Sequence, residues 1–155
     1  MTDAEQPTTG PARWKRWLTA ARPWGAILSL FPVVWGTWLA VAAGGAAFQA
    51  GLFAAAAFAM LCLHHAANML NDVCDYRRGL DTVPNPASGA ISRGWLNDRE
   101  VLRGAVALAA VGAVPGLWLI WKTGWVLFWI AAAGALLGTV YSAGPRPLKQ
   151  YALGD

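Results

Sequence analysis

The chain has 155 residues, room for one domain, of which 57% are hydrophobic and 13% charged. A soluble globular domain carries roughly 25% charged residues, so the composition excludes an ordinary soluble fold and marks an integral membrane protein. The net charge of +4 comes from lysines and arginines scattered among loops. With no basic stripe and no nucleic-acid motif, no nucleic-acid partner is expected, and the charge is better read through membrane topology.

Residues 1–12 form a polar tail with Pro7, Gly10 and Pro11 that is expected to be disordered, and the membrane domain covers 13–155. Arg13 to Arg22 is basic with Trp14 and Trp17, which suits a short amphipathic helix lying along the membrane surface. The polar, basic, apolar order superficially resembles a secretory leader. The first apolar stretch is nevertheless long enough to span, so retention as a membrane helix is expected.

That first span should cover residues 24–43, about 30 Å of helix, with Pro32 as a kink point. Gly44-Gly45 makes the turn into a second span at 51–78, about 42 Å long if helical throughout and stopped by Gly79. Its last turns therefore reach the membrane–water boundary. A hydrophilic loop, 79–103, is broken by Pro84, Pro86 and Ser88-Gly89, and Asn97 or Asp98 can cap the next helix. The third span, 104–121, is slightly short and carries Pro115; after a turn at Lys122-Thr123-Gly124 the fourth covers 124–143. Four spans place eleven of the 12 lysines and arginines on one side, with Lys122 alone opposite. By the positive-inside rule that side, both termini included, faces the cytoplasm, as in a multi-pass protein of the inner (plasma) membrane.

Between Arg22 and Asp72 lie 49 residues without a formal charge, after which Asp72, Asp75 and Asp81 arrive among Arg77 and Arg78. At about 100° per residue, His64, Asn68, Asn71 and Asp75 fall within about 60° of one another, with Asp72 outside that stripe. A polar stripe on an apolar helix faces a protein interior or a wet cavity. Asn71 and Asp75, one turn apart, can direct oxygens at one cation, and hard oxygen ligands suit magnesium sharing its shell with substrate phosphates. The alternative is that Asn68, Asn71 and His64 only hydrogen-bond between helices. His64 is expected to line the cavity and His65 to pack, because adjacent histidines diverge too far to share a metal. Cys62 and Cys74, both expected on one helix, read as buried thiols. Arg77, Arg78, Arg146 and Lys149 can neutralise a diphosphate or anchor to headgroups. Tyr141 ends the fourth span at the same level, and Arg93 is a further cationic candidate.

The segment NDVCDYRRGLDT resembles the first aspartate-rich motif of the UbiA superfamily of intramembrane prenyltransferases. ARPW before the first span, PASGAIS after the motif and YSAGPRPLKQYALGD after the fourth span stand in family order, so the resemblance covers nearly the whole chain. The D-Y-x-x-G-x-D-T form leans to the 1,4-dihydroxy-2-naphthoate prenyltransferases of menaquinone synthesis; PASGAIS and YSAGP would also suit chlorophyll synthases. The resemblance implies an all-α polytopic membrane bundle of four transmembrane helices, half of a UbiA-type fold. It implies Mg2+ as cofactor, held by Asn71 and Asp75, with Asn71, Asp72 and Asp75 as the catalytic motif. Asn68, Arg77, Arg78, Asp81, Tyr141, Arg146 and Lys149 would contact substrate, with Asp81 substituting for an aspartate that many members carry where Gly79 stands.

The implied reaction is magnesium-dependent transfer of an isoprenyl group from an isoprenyl diphosphate to an aromatic acceptor within the lipid membrane. Family members carry a second aspartate-rich motif beyond the length present here, so the chain is expected to be an incomplete N-terminal half, inactive unless a C-terminal half is supplied. The competing class is a non-catalytic four-helix membrane protein, a degenerate relative that binds lipid diphosphate or a partner.

Overall fold

The computed structural model describes residues 10–80 and 89–142, and every regular element among them is helical. Helix α1 (Arg13–Ala21), a one-turn 3-10 helix (Pro23–Gly25) and α2 (Ala26–Ala42) follow in close succession. Then come α3 (Ala50–Arg77), α4 (Asp98–Thr123) and α5 (Trp125–Ser142). The stretch from Arg13 to Ala42, α3 and α4 are long and apolar enough to cross a membrane, and α5 is a shorter apolar helix. The architecture is that of a membrane helical bundle.

Helix α3 holds 28 residues, as its apolar run and Gly79 require. Gly79 takes φ +70, and the Gly79 and Leu80 amides donate to the carbonyls of Tyr76 and Asp75. This pair of bonds closes the helix in a Schellman motif, for which a residue without Cβ is suited. Helix α4 holds 26 residues and begins at Asp98, behind the expected Asn97 cap, so it extends past the 104–121 span on the loop side. The cause is local: the Asn97 side chain accepts from the Glu100 amide at 2.8 Å, and the Glu100 carboxylate accepts from the Asn97 amide at 2.9 Å. This capping box starts the helix in the polar loop, a turn and a half before the apolar run. Pro32 and Pro115 both lie inside continuous helices.

Helices α3 and α4 form the central pair. At Gly112 of α4 a Cβ would stand 2.7 Å from Cys62 Cβ and 3.2 Å from the Ala59 carbonyl oxygen, so the backbones meet through small residues. Toward the acidic end of α3 the packing thickens into a core containing Ala20 of α1, Met69 and Val73 of α3, Ile91 and Leu96 of the loop, and Val101 of α4. Trp17 packs against it, while Trp14 and Leu18 stay exposed. Helix α1 therefore does more than lie along a surface: one face is built into the core. Helix α2 buries no residue, and Cys62 and Cys74 are free thiols.

Candidate functional site

The polar stripe of α3 is organised by two hydrogen-bonded pairs. The Asn68 amide nitrogen lies 3.0 Å from His64 Nε2, and His64 Nδ1 lies 2.7 Å from Ser29 Oγ of α2. An amide nitrogen only donates, so Nε2 accepts, and Nδ1 carries the proton and donates to Ser29. One turn on, Asn71 Nδ2 donates to Asp75 Oδ2 at 3.1 Å. All four α3 residues are half-buried, as a stripe facing the interior requires.

Asp72 occupies the neighbouring face. It is 3% exposed and pairs with Arg22, whose Nη2 donates to Oδ1. Arg22 sits at the corner between α1 and α2, where its amide donates to the Leu18 carbonyl. It is the one described non-glycine residue with positive φ, at +53. Such a backbone conformation costs a residue with Cβ free energy, here offset by the ion pair it permits. Arg22 Nε is buried without an acceptor, so the guanidinium retains a donor beside the motif. His65, expected only to pack, also grips this corner: its Nδ1 donates to the Ala21 carbonyl at 2.8 Å.

The remaining candidates are distributed. Arg77 directs Nε and Nη2 at Asp98 Oδ2, both at 2.8 Å, tying the end of α3 to the start of α4. Arg78 closes α3, its amide donating to the Cys74 and Asp75 carbonyls at 3.2 Å. The Arg93 guanidinium lies 5.0 Å from the Trp95 ring centroid. Tyr141 is exposed near the end of α5. Asp81, Arg146 and Lys149 lie outside the described residues.

The structure thus sets Asn68, Asn71 and Asp75 on one face of α3 and Asp72 on the next, and adds Arg22 and Ser29, which sequence reasoning missed as site residues. Arg22 carried two signals, its place in the ARPW segment and its position as the last charge before the 49 uncharged residues. Ser29 gave none.

Among the described residues no three His, Cys, Asp or Glu side chains cluster as a metal site. Asn71 and Asp75 offer two adjacent oxygen-bearing side chains, so a cation there would complete its shell with water and phosphate oxygens. Magnesium, which dehydrates reluctantly and is commonly held by one or two carboxylates plus substrate, fits that donor set.

Comparison with known proteins identifies the family. The UbiA prenyltransferase family matches residues 29–155. The chain is 28% identical over 156 residues to the 1,4-dihydroxy-2-naphthoate octaprenyltransferase of Bacillus subtilis (strain 168), covering all of this chain and 48% of that protein. It is 30% identical over 141 residues to UbiA prenyltransferase domain-containing protein 1 of Rattus norvegicus, covering 90% of this chain and 41% of the relative. With the Homo sapiens protein of the same name it shares 29% over 157 residues, covering 97% and 46%. The chain spans about half the length of the curated relatives it matches. No solved structure matches it significantly. A family match over residues 29–155, most of the chain, establishes that this chain belongs to the UbiA prenyltransferase family.

Proposed function

We propose that this chain supplies the first aspartate-rich half of a magnesium-dependent membrane prenyltransferase. In this reading the enzyme transfers an isoprenyl group from a prenyl diphosphate to an aromatic acceptor of the dihydroxynaphthoate type, in menaquinone synthesis. The observation that carries it is the Asn71–Asp75 pair, placed in the last two turns of a 28-residue apolar helix and beside the ion pair of half-buried Arg22 with buried Asp72.

Asn71 and Asp75 would hold the magnesium ion, and when bound it offsets the negative charge of the diphosphate. Arg78, with Arg146 and Lys149 from the C-terminal segment, would add donors to the same group, since charge-assisted bonds to phosphate oxygens are the strong ones. The Schellman motif at Gly79 holds the end of α3 in one conformation, which fixes Asp75 and Arg78 relative to each other. Asn68, oriented by His64, would lie deeper along the stripe toward the isoprenyl carbon. In the overall reaction the allylic C–O bond breaks, diphosphate departs with the electron pair, and a ring carbon bonds to the isoprenyl carbon and loses a proton. Keeping that step within the membrane limits capture of the allylic carbon by water. The remaining diphosphate ligands would come from a C-terminal half, and by the positive-inside rule the motif would face the cytoplasm.

Asp75→Asn tests this reading. Magnesium-dependent binding of farnesyl diphosphate to the purified chain in detergent is expected to weaken about tenfold or more, as loss of a metal-site group typically does. Binding indifferent to the substitution would instead favour a non-catalytic relative.

A further inference from the structure

Helix α3 presents two polar faces about a quarter-turn apart. One is the stripe His64, Asn68, Asn71 and Asp75. The other carries His65 and Asp72, seven residues apart and so on nearly the same azimuth, with Met69 between them. This second face is occupied by the corner between α1 and α2. His65 holds the Ala21 carbonyl at 2.8 Å, Asp72 holds the Arg22 guanidinium, and Met69 packs in the core beside Ala20. The next stretch of the same segment then reaches the first face, where Ser29 holds His64 and where a Cβ on Gly25 would stand 2.9 Å from His64 Nε2.

Two adjacent faces of one helix held by one continuous segment leave that helix little freedom to roll. Met69 and Val73 pack α3 into the core at this end, and the polar contacts add direction to that packing. Asn71 and Asp75 follow directly: a roll of one residue, about 100°, would carry them off the face they now share and bring Asp72 towards it.

We propose that Arg22 is a positioning residue for the diphosphate site, setting the roll of α3 through Asp72 so that Asn71 and Asp75 face the bound ion. The proposal rests on the reading of that site given above. It assigns Arg22 to the reaction through Asp72, the side chain it pairs with. It also makes α1, an amphipathic surface helix, part of the machinery that aligns the motif.

The test is a magnesium titration of farnesyl diphosphate binding to the purified full chain in detergent, with helix content and unfolding temperature measured in parallel. Arg22→Gln is expected to raise the magnesium concentration for half-saturation about tenfold, the lower end of what losing a group behind metal ligands does. Arg22→Lys, which retains the charge, should give a smaller rise. Arg22→Gln removes the guanidinium from buried Asp72, so the double variant Arg22→Gln/Asp72→Asn carries the test if the single one does not fold. It removes both charges and should show a rise of the same size. A wild-type half-saturation in either folded variant, with only the unfolding temperature lowered, would reduce the pair to a structural brace and overturn the proposal. Asp75→Asn separates the two levels: impaired there with Arg22 variants normal, the site reading survives and the positioning role fails; normal there, both fail.

Discussion

The two ends of the α3–α4 pair are held by different means. At one end Gly112 lets the helices approach until Cys62 and Ala59 are in contact range of its backbone. At the other, α1, the loop ending at Leu96 and the first turns of α4 close over Met69 and Val73, with the Arg22–Asp72 and Arg77–Asp98 pairs alongside. Packing apolar surface gains little over solvation by lipid tails, so contact within the apolar region depends on shape complementarity between small residues. Near the membrane boundary water is available to be excluded, and burial again stabilises. The candidate site lies at this second end. Its geometry therefore depends on a conventional small core with an ion pair inside it, while the apolar helices chiefly carry it into the membrane.

The largest effect should come from the acidic end. Asp72→Ala strips Arg22 of its counter-ion and should destabilise by about 3 kcal/mol, read as a lowered unfolding temperature in detergent. A negligible change would break the comparison, since it would mean the ion pair contributes nothing to that end. Next comes the glycine contact. Gly112→Ala places a methyl 2.7 Å from Cys62 Cβ and 3.2 Å from a backbone oxygen, neither of which can swing aside. Overpacking of this kind costs about 2 kcal/mol, with farnesyl diphosphate binding little changed because the motif is several turns away. The smallest effect is expected in α5, where Val126 is 74% exposed. Val126→Leu should stay within about 0.5 kcal/mol. A larger loss would show that this face of α5 packs on another protein surface rather than on lipid.

Much of the frame was legible beforehand because it depends on neighbours in sequence. The 28-residue α3, its stop at Gly79, the Asn97 cap and the alignment of His64, Asn68, Asn71 and Asp75 all follow from periodicity and local bonding. Where reading was poorer, long-range contacts decided. Arg77 could be read as a diphosphate or headgroup ligand; the structure engages it with Asp98, 21 residues on. His65 was assigned to packing because nothing in its neighbourhood reveals a carbonyl from a residue 44 positions earlier.

By itself the sequence determined that this chain is helical and membrane-embedded, that its second long helix ends in carboxylates, and that Asn71 and Asp75 share a face. These are consequences of hydrophobicity, helical period and a glycine stop. Only the tertiary structure decided which way that helix faces and what holds it there. Arg22 and Asp72 are 50 residues apart, and Ser29 and His64 are 35 apart. Such pairs form because α1, α2 and α3 pack side by side, and an ion pair or hydrogen bond within that packing carries no periodic signature along the chain.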